Sequence, residues 1–224
     1  DKSDTALTEI NNDYKYGGSA ADDNSGSLTY VKICYAGARS TADIEHNGLT
    51  LNGVGNGTKI ENIYVLESAD DAIEFFGGTV NVTNLLAVNP DDDMFDFTQG
   101  YCGTLKNCYG VWESDYTSTE ADPRGIEADG NMDGLYPDHL RQSDFKVENM
   151  TIVNNAANTA DNVDRMQDVI KIRRGAKATI TNALVKGTGG AIDLVDMKDS
   201  KGAGNIESCL LYTSPSPRDP KTSR

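Results

Sequence analysis

The sequence is short of nearly everything that marks a nucleic-acid-binding protein, a zinc protein or a membrane protein. Basic residues are outnumbered, with 20 Lys and Arg against 35 Asp and Glu and a net charge of −15. So acidic a surface repels phosphate backbones and anionic membranes, so nucleic acid is not expected as a partner. It suits a salty exterior, a cation-binding surface, or both. No run approaches the roughly 18 apolar residues of a membrane span, and none is expected. The two histidines, His46 and His139, have no His/Asp/Glu metal spacing and no serine partner, and read as loop residues. The 4 cysteines contain no Cys-x-x-Cys, which argues against a zinc site or a disulfide framework. A Cys102–Cys108 bridge stays open beside the plainer reading of small buried apolar residues. No initiating Met and no signal peptide are present, so a cut-away N-terminus is expected. Only 6 prolines stand against 22 glycines, a ratio that suits many tight corners.

Residues 209–224 stand apart. Cys209 to Asp219 matches, codon for codon, the translation of a common sequencing adapter, and the residues to Arg224 fit the same frame. They are expected to be a non-native tail, with the natural protein truncated inside a further repeat. Removing them takes away three cations, one anion and Cys209, which leaves the rest more acidic still.

What is present is a repeat, and repeats outrank local propensity as evidence of fold. An asparagine flanked by apolar residues recurs as Asn62, Asn84, Asn107, Asn149 and Asn182. The intervals fall in the roughly 20–45 residues of solenoid units. Apolar residues on both sides of the Asn break strict alternation, so the chain bends there, and stacked asparagines can satisfy one another's amides. A second column alternates with period two. Leu49/Leu51, Ile73/Phe75, Phe95/Phe97, Ile126/Ala128, Ile170/Ile172 and Ile192/Leu194 point inward. Thr50, Glu74, Asp96, Glu127, Lys171 and Asp193 point outward between them. A leucine-rich repeat shares the spacing, but here strand and Gly-Gly replace its helical segment. The expected fold is all-β, a right-handed parallel β-helix of about six coils, C-terminally truncated. Residues 1–17 are expected to be poorly ordered, with the β-helix over 18–208.

The segments from Asn47 to Leu51, Val54 to Thr58, Asp70 to Thr79 and Pro123 to Asp129 resemble a family of secreted bacterial β-helix proteins. That family belongs with the pectin-lyase-like solenoids, and the similarity covers roughly 17–208. It implies a secreted or bacterial cell-surface protein. In that superfamily the third strand and the variable loops before it form the substrate cleft. Here those loops lead into the strand carrying Glu74, Asp96, Glu127, Lys171 and Asp193.

Parallel strands stack about 4.8 Å apart, so Glu74, Asp96 and Glu127 form a ladder of like charges that needs neutralising. The preceding column reads Asp71, Asp93, Arg124 and Asp168. Hard oxygen ligands at this spacing suit Ca²⁺ better than zinc, with Asp71, Glu74, Asp93, Asp96 and Glu127 as the expected ligands. A solvated acidic face is the bland alternative. Ca²⁺ beside Arg124 or Lys171 would serve β-elimination of a uronate polymer, with one of them as base. Hydrolysis by carboxylates, Asp96 with Asp92 or Asp93, is the other enzymatic route. Trp112, Tyr116 and Arg173 are the expected substrate contacts, since aromatics beside a groove stack on sugar rings. Gly53 to Gly57 lacks the Lys-Ser/Thr of a phosphate loop and reads as a corner. The expected function is to bind or cleave acidic polysaccharide or a cell-surface glycan with Ca²⁺. The alternative is a non-catalytic structural or adhesive module of a larger exported protein whose further domains are missing.

Overall fold

Period-two alternation makes strands, and a residue held in the left-handed region bends them. The computed structural model describes residues 6–38, 46–131, 141–156, 166–199, 201–202 and 206–213. A small hairpin opens the chain, β1 (Ala6–Leu7) with β2 (Lys15–Tyr16). Long and short strands then alternate. The long ones are β3 (Ser27–Cys34), β5 (Lys59–Leu66), β7 (Asn81–Val88), β9 (Thr104–Trp112), β11 (Asp144–Asn154), β13 (Lys177–Lys186) and β15 (Cys209–Tyr212). The short ones are β4 (Leu49–Asn52), β6 (Ile73–Phe76), β8 (Phe95–Thr98), β10 (Ile126–Asp129), β12 (Asp168–Arg173) and β14 (Asp193–Asp196). Each kind stacks in chain order into one parallel sheet, of 7 long strands and of 6 short strands. The chain is a parallel β-helix solenoid.

The asparagine column is a ladder. Asn84, Asn107, Asn149 and Asn182 each donate from Nδ2 to the Oδ1 of the preceding rung, at 2.8, 3.0, 2.9 and 2.8 Å. All five asparagines hold φ between 54° and 59°, a region that Asn tolerates better than most residues. The rungs from Asn84 onward lie on the surface rather than in the interior that an amide stack suggests. The side chains beside them point inward and carry the core.

That core is continuous along the axis. Phe75, Phe97 and Phe145 stack at centroid distances of 5.1 and 4.1 Å, with the Tyr101 ring against Phe75 at 4.4 Å. The corner after β6 needs glycine. Gly78 has φ 82°, and a Cβ there would sit 2.5 Å from the Val54 carbonyl oxygen.

Three local features stand out. Within 1–17, residues 6–16 form the antiparallel hairpin, with Ala6 opposite Tyr16 and Leu7 opposite Lys15. Cys209–Tyr212, set apart as a tail, pairs in parallel with Lys177–Ile180 of β13. The last short strand is shifted: Lys171 stands opposite Asp196, and Asp193 opposite Asp168. Ile192 and Leu194, expected inside, are 48% and 57% exposed, and Val195, opposite the buried Ile170, is itself 39% exposed at this end of the solenoid. The register is the one that pairs the buried Lys171 ammonium with Asp196. All four cysteines are free thiols, so no Cys102–Cys108 bridge forms, and burial pushes the Cys108 thiol up to about 12. His46 is exposed, and His139 lies outside the described residues. Among the described residues no helix is long and apolar enough to cross a membrane.

A candidate cation-binding groove

The outward face of the short sheet and the residues just before its strands carry three columns of mostly polar side chains. The strand register places Thr50, Glu74, Asp96, Glu127, Lys171 and Asp196 in the central column. The column before it holds Asn47, Asp71, Asp93, Arg124, Asp168 and Asp193, and the one after it Asn52, Phe76, Thr98, Asp129 and Arg173. An outward face ordinarily meets water. Here most of the grid is buried: Asp71, Glu74, Asp93, Asp96, Arg124 and Lys171 are each at most 9% exposed. Asp70 and Asp92, from the loops before β6 and β8, line a cleft on this face, and so does Glu9 from the N-terminal hairpin.

The two ends of the grid differ in charge. Toward the C-terminus every cation has its anion. Arg124 contacts Asp122 at 2.7 Å, Glu127 at 2.5 Å and Asp168 at 3.4 Å. Arg173 holds Glu127 at 2.7 Å and Asp129 at 2.6 Å. Arg174 also reaches Asp129, at 2.5 Å, and Lys171 binds Asp196 at 2.5 Å. Toward the N-terminus the carboxylates face one another. Among the described residues, the charges that act most on Asp71 are those of Asp70, Asp93, Asp96 and Glu74, all anionic. Glu74 has the amide of Asn47 at 2.5 Å as its neutral partner. Asp71 Oδ1 accepts the backbone N–H of Asp93 at 2.9 Å, which ties successive coils together at the floor.

These carboxylates enclose a cleft of about 140 Å³, lined almost wholly by polar atoms. Oxygens of Asp71, Glu74 and Asp96 lie within 4.8 Å of one another, as do those of Asp93, Asp96 and Glu127. Among the described residues, Asp93 Oδ1 and Thr98 Oγ1 are buried at the cleft without a hydrogen-bond partner. Burial first, and the neighbouring carboxylates second, push Asp71, Glu74 and Asp93 well above the usual carboxylate range. Burial also raises Glu127, to about 7, although Arg124 and Arg173 pull it back. Without a counter-ion such a cluster holds protons; with a hard divalent cation it can ionise. An all-oxygen donor set with unused lone pairs fits Ca²⁺, which takes six to eight oxygens.

The other expected site residues fall elsewhere or take other roles. Trp112 is completely buried and donates from Nε1 to the Pro90 carbonyl at 3.0 Å, so it offers no ring face to a sugar. Tyr116 packs beside it at 5.7 Å and bonds Asp91 at 3.1 Å, closing the loop. Arg173 does lie on the groove floor, as an ion-pair partner. Burial pulls the Arg124 guanidinium down, but Asp93, Glu127 and Asp122 outweigh it and hold it above its ordinary value. That makes Arg124 a fixed cation rather than a proton acceptor. The sequence reading missed Thr98 and Asp129, although the same period two, carried one step past Asp96 and Glu127, reaches both. It also missed Glu9, for which no repeat gave a signal.

A family model described as a pectate-lyase-like β-helix domain matches residues 1–213. No curated protein and no solved structure matches the chain significantly.

Proposed function

The chain belongs to the family of pectate-lyase-like β-helix domains, and from that premise we propose that it is a secreted or cell-surface protein that binds acidic polysaccharide in this groove. Asp71, Glu74, Asp93, Asp96 and Glu127 would hold Ca²⁺ there. The observation that carries the reading is the imbalance within the groove. One end neutralises itself with Arg124, Lys171 and Arg173, while at the other, among the described residues, the charges that act most on buried Asp71 are those of Asp70, Asp93, Asp96 and Glu74. The whole chain supports it too. A molecule of net charge −15 repels a polyanion, so attraction between them needs a bridging cation.

Bound there, Ca²⁺ would neutralise the cluster and, on a uronate, acidify the proton alpha to the carboxylate. Binding is favoured over β-elimination because neither base candidate is available: Arg124 is held protonated, and Lys171 donates to Asp196. Hydrolysis is the second reading. The Glu127 carboxyl, raised to about 7 by burial although it pairs with Arg124 and Arg173, has an oxygen within 4.8 Å of those of Asp93 and Asp96. Carboxyl groups about 5 Å apart are the spacing that glycoside cleavage with retention uses.

Affinity electrophoresis through gels containing polygalacturonate, alginate or neutral glucan tests the proposal. Retardation is expected on the acidic polymers in Ca²⁺, and not in chelator or on glucan. An Asp71→Asn/Glu74→Gln double variant should migrate freely. Unchanged mobility on every polymer in Ca²⁺ would leave the structural or adhesive reading. Release of reducing ends without ultraviolet-absorbing unsaturated uronate would favour hydrolysis.

A further inference from the structure

Beside the groove, the corners that end the short strands form a second concavity. Its floor is the backbone after β4, β6 and β8, at Gly53, Gly77, Gly78 and Gly100. Its wall is the N-terminal segment from Tyr16 to Ala21, which lies close because the corners carry no side chains. A Cβ on Gly53 would stand 3.1 Å from both the Tyr16 ring and the Gly17 Cα. The space between wall and floor is about 200 Å³. That is several times the roughly 30 Å³ share of one water, and below the roughly 300 Å³ where pockets for drug-sized ligands begin. One sugar ring fits, and a chain of them does not.

Charge sets this pocket apart. In a molecule of net charge −15, the described residues that line it include no carboxylate, and Arg141 alone is charged. Among the described residues Arg141 enters no ion pair. Its charge reaches the Cys102 thiol in the lining. Burial pushes that thiol up, Arg141 pulls it partly back, and Asp144 opposes from outside the pocket. The backbone N–H groups of Gly18, Ser19 and Gly78 make no hydrogen bond among the described residues, so wall and floor both have donors to spare. Tyr16 and the alanines beside it supply the apolar contact that the face of a sugar ring takes.

We propose that this pocket holds a single uronic acid, free or at a chain end, with its carboxylate on Arg141 and its ring against the N-terminal segment. The inference shares with the groove reading only the class of ligand. No cation takes part, and internal residues of a polymer cannot enter, so retardation of the protein in chelator is still not expected.

Alkylation of Cys102 by iodoacetamide reports occupancy, with the exposed Cys209 of the last coil as control. In chelator, galacturonate or glucuronate at about ten times its dissociation constant should slow labelling of Cys102 about tenfold and leave Cys209 unchanged. Galactose, which lacks the carboxylate, should protect neither thiol. Arg141→Gln, folded as wild type by its melting temperature, should lose the protection. It is judged as the ratio with and without sugar, because loss of the guanidinium itself changes the thiol. No protection by either sugar acid would overturn the proposal, as would equal protection by galactose or in Arg141→Gln. The Asp71→Asn/Glu74→Gln variant should keep its Cys102 protection in full, so a failed groove and a failed pocket are distinguishable.

Discussion

At position 30 the asparagine column is interrupted. Tyr30 stands in register with Asn62 and holds φ at 56°, with its ring 84% exposed. It bears the left-handed backbone without the side-chain bond that every later rung makes. Tyr30→Asn should therefore stabilise the protein by about 1 kcal/mol, through easier φ and one new amide bond. Asn84→Ala should cost about 1–2 kcal/mol, since it loses both a bond to Asn62 and one from Asn107 and forces alanine to φ 59°. Asn84→Gly relieves the backbone but not the ladder, so urea midpoints for the pair separate the two contributions. Equal midpoints for Asn84→Ala and wild type would mean that the exposed amides prefer water.

Among the elements, the short strands divide sharply. Every residue of β6 and β8 is buried, whereas β14 buries Asp196 alone. Amide exchange should accordingly be slowest in β6 and β8 and fastest at β14 and β15. Truncation after Ser208 carries a small cost, because Cys209 N–H bonds the Ala176 carbonyl at 3.0 Å and Thr213 N–H the Ile180 carbonyl at 2.8 Å. Leu211 remains 63% exposed, so the expected loss is backbone pairing at the rim, a drop of no more than a few degrees in a thermal melt. A drop comparable to a core substitution would show that β15 closes the core. The coil pattern was legible because burial on one face imposes period two and each bend demands a special residue. The Ile73/Phe75 and Phe95/Phe97 pairs and all five asparagines could be read off directly. The register of β14 was not, since both Asp193 and Asp196 fit the pattern and only the contact with Lys171 chooses between them. Trp112 misled because an aromatic beside a loop looks the same in sequence whether it faces a ligand or plugs the interior. Glu9 was invisible because its partners lie outside its own repeat frame.

For the molecule as a whole, the groove ties stability to protons and to Ca²⁺ together. Asp71, Glu74, Asp93 and Glu127 are raised in the folded state, Glu127 to about 7, so above the usual carboxylate range the native protein binds more protons than the unfolded chain. Stability from these groups is present at acid pH and is lost as pH rises through their folded values. In chelator the melting temperature should fall from about pH 5 to about pH 8, and Ca²⁺ should reverse that slope by replacing the protons. A chelated protein whose melting point is flat across that range would show the carboxylates to be ordinary. The asparagine ladder has a further consequence, because it points one way. Each rung gives its hydrogen to the coil before it and offers an oxygen to the coil after it. A chain delivered from its N-terminus first thus finds, at every stage, a finished template whose last rung shows an open amide acceptor. Each new turn brings the matching donor with it, and none has to wait for residues that have not yet arrived.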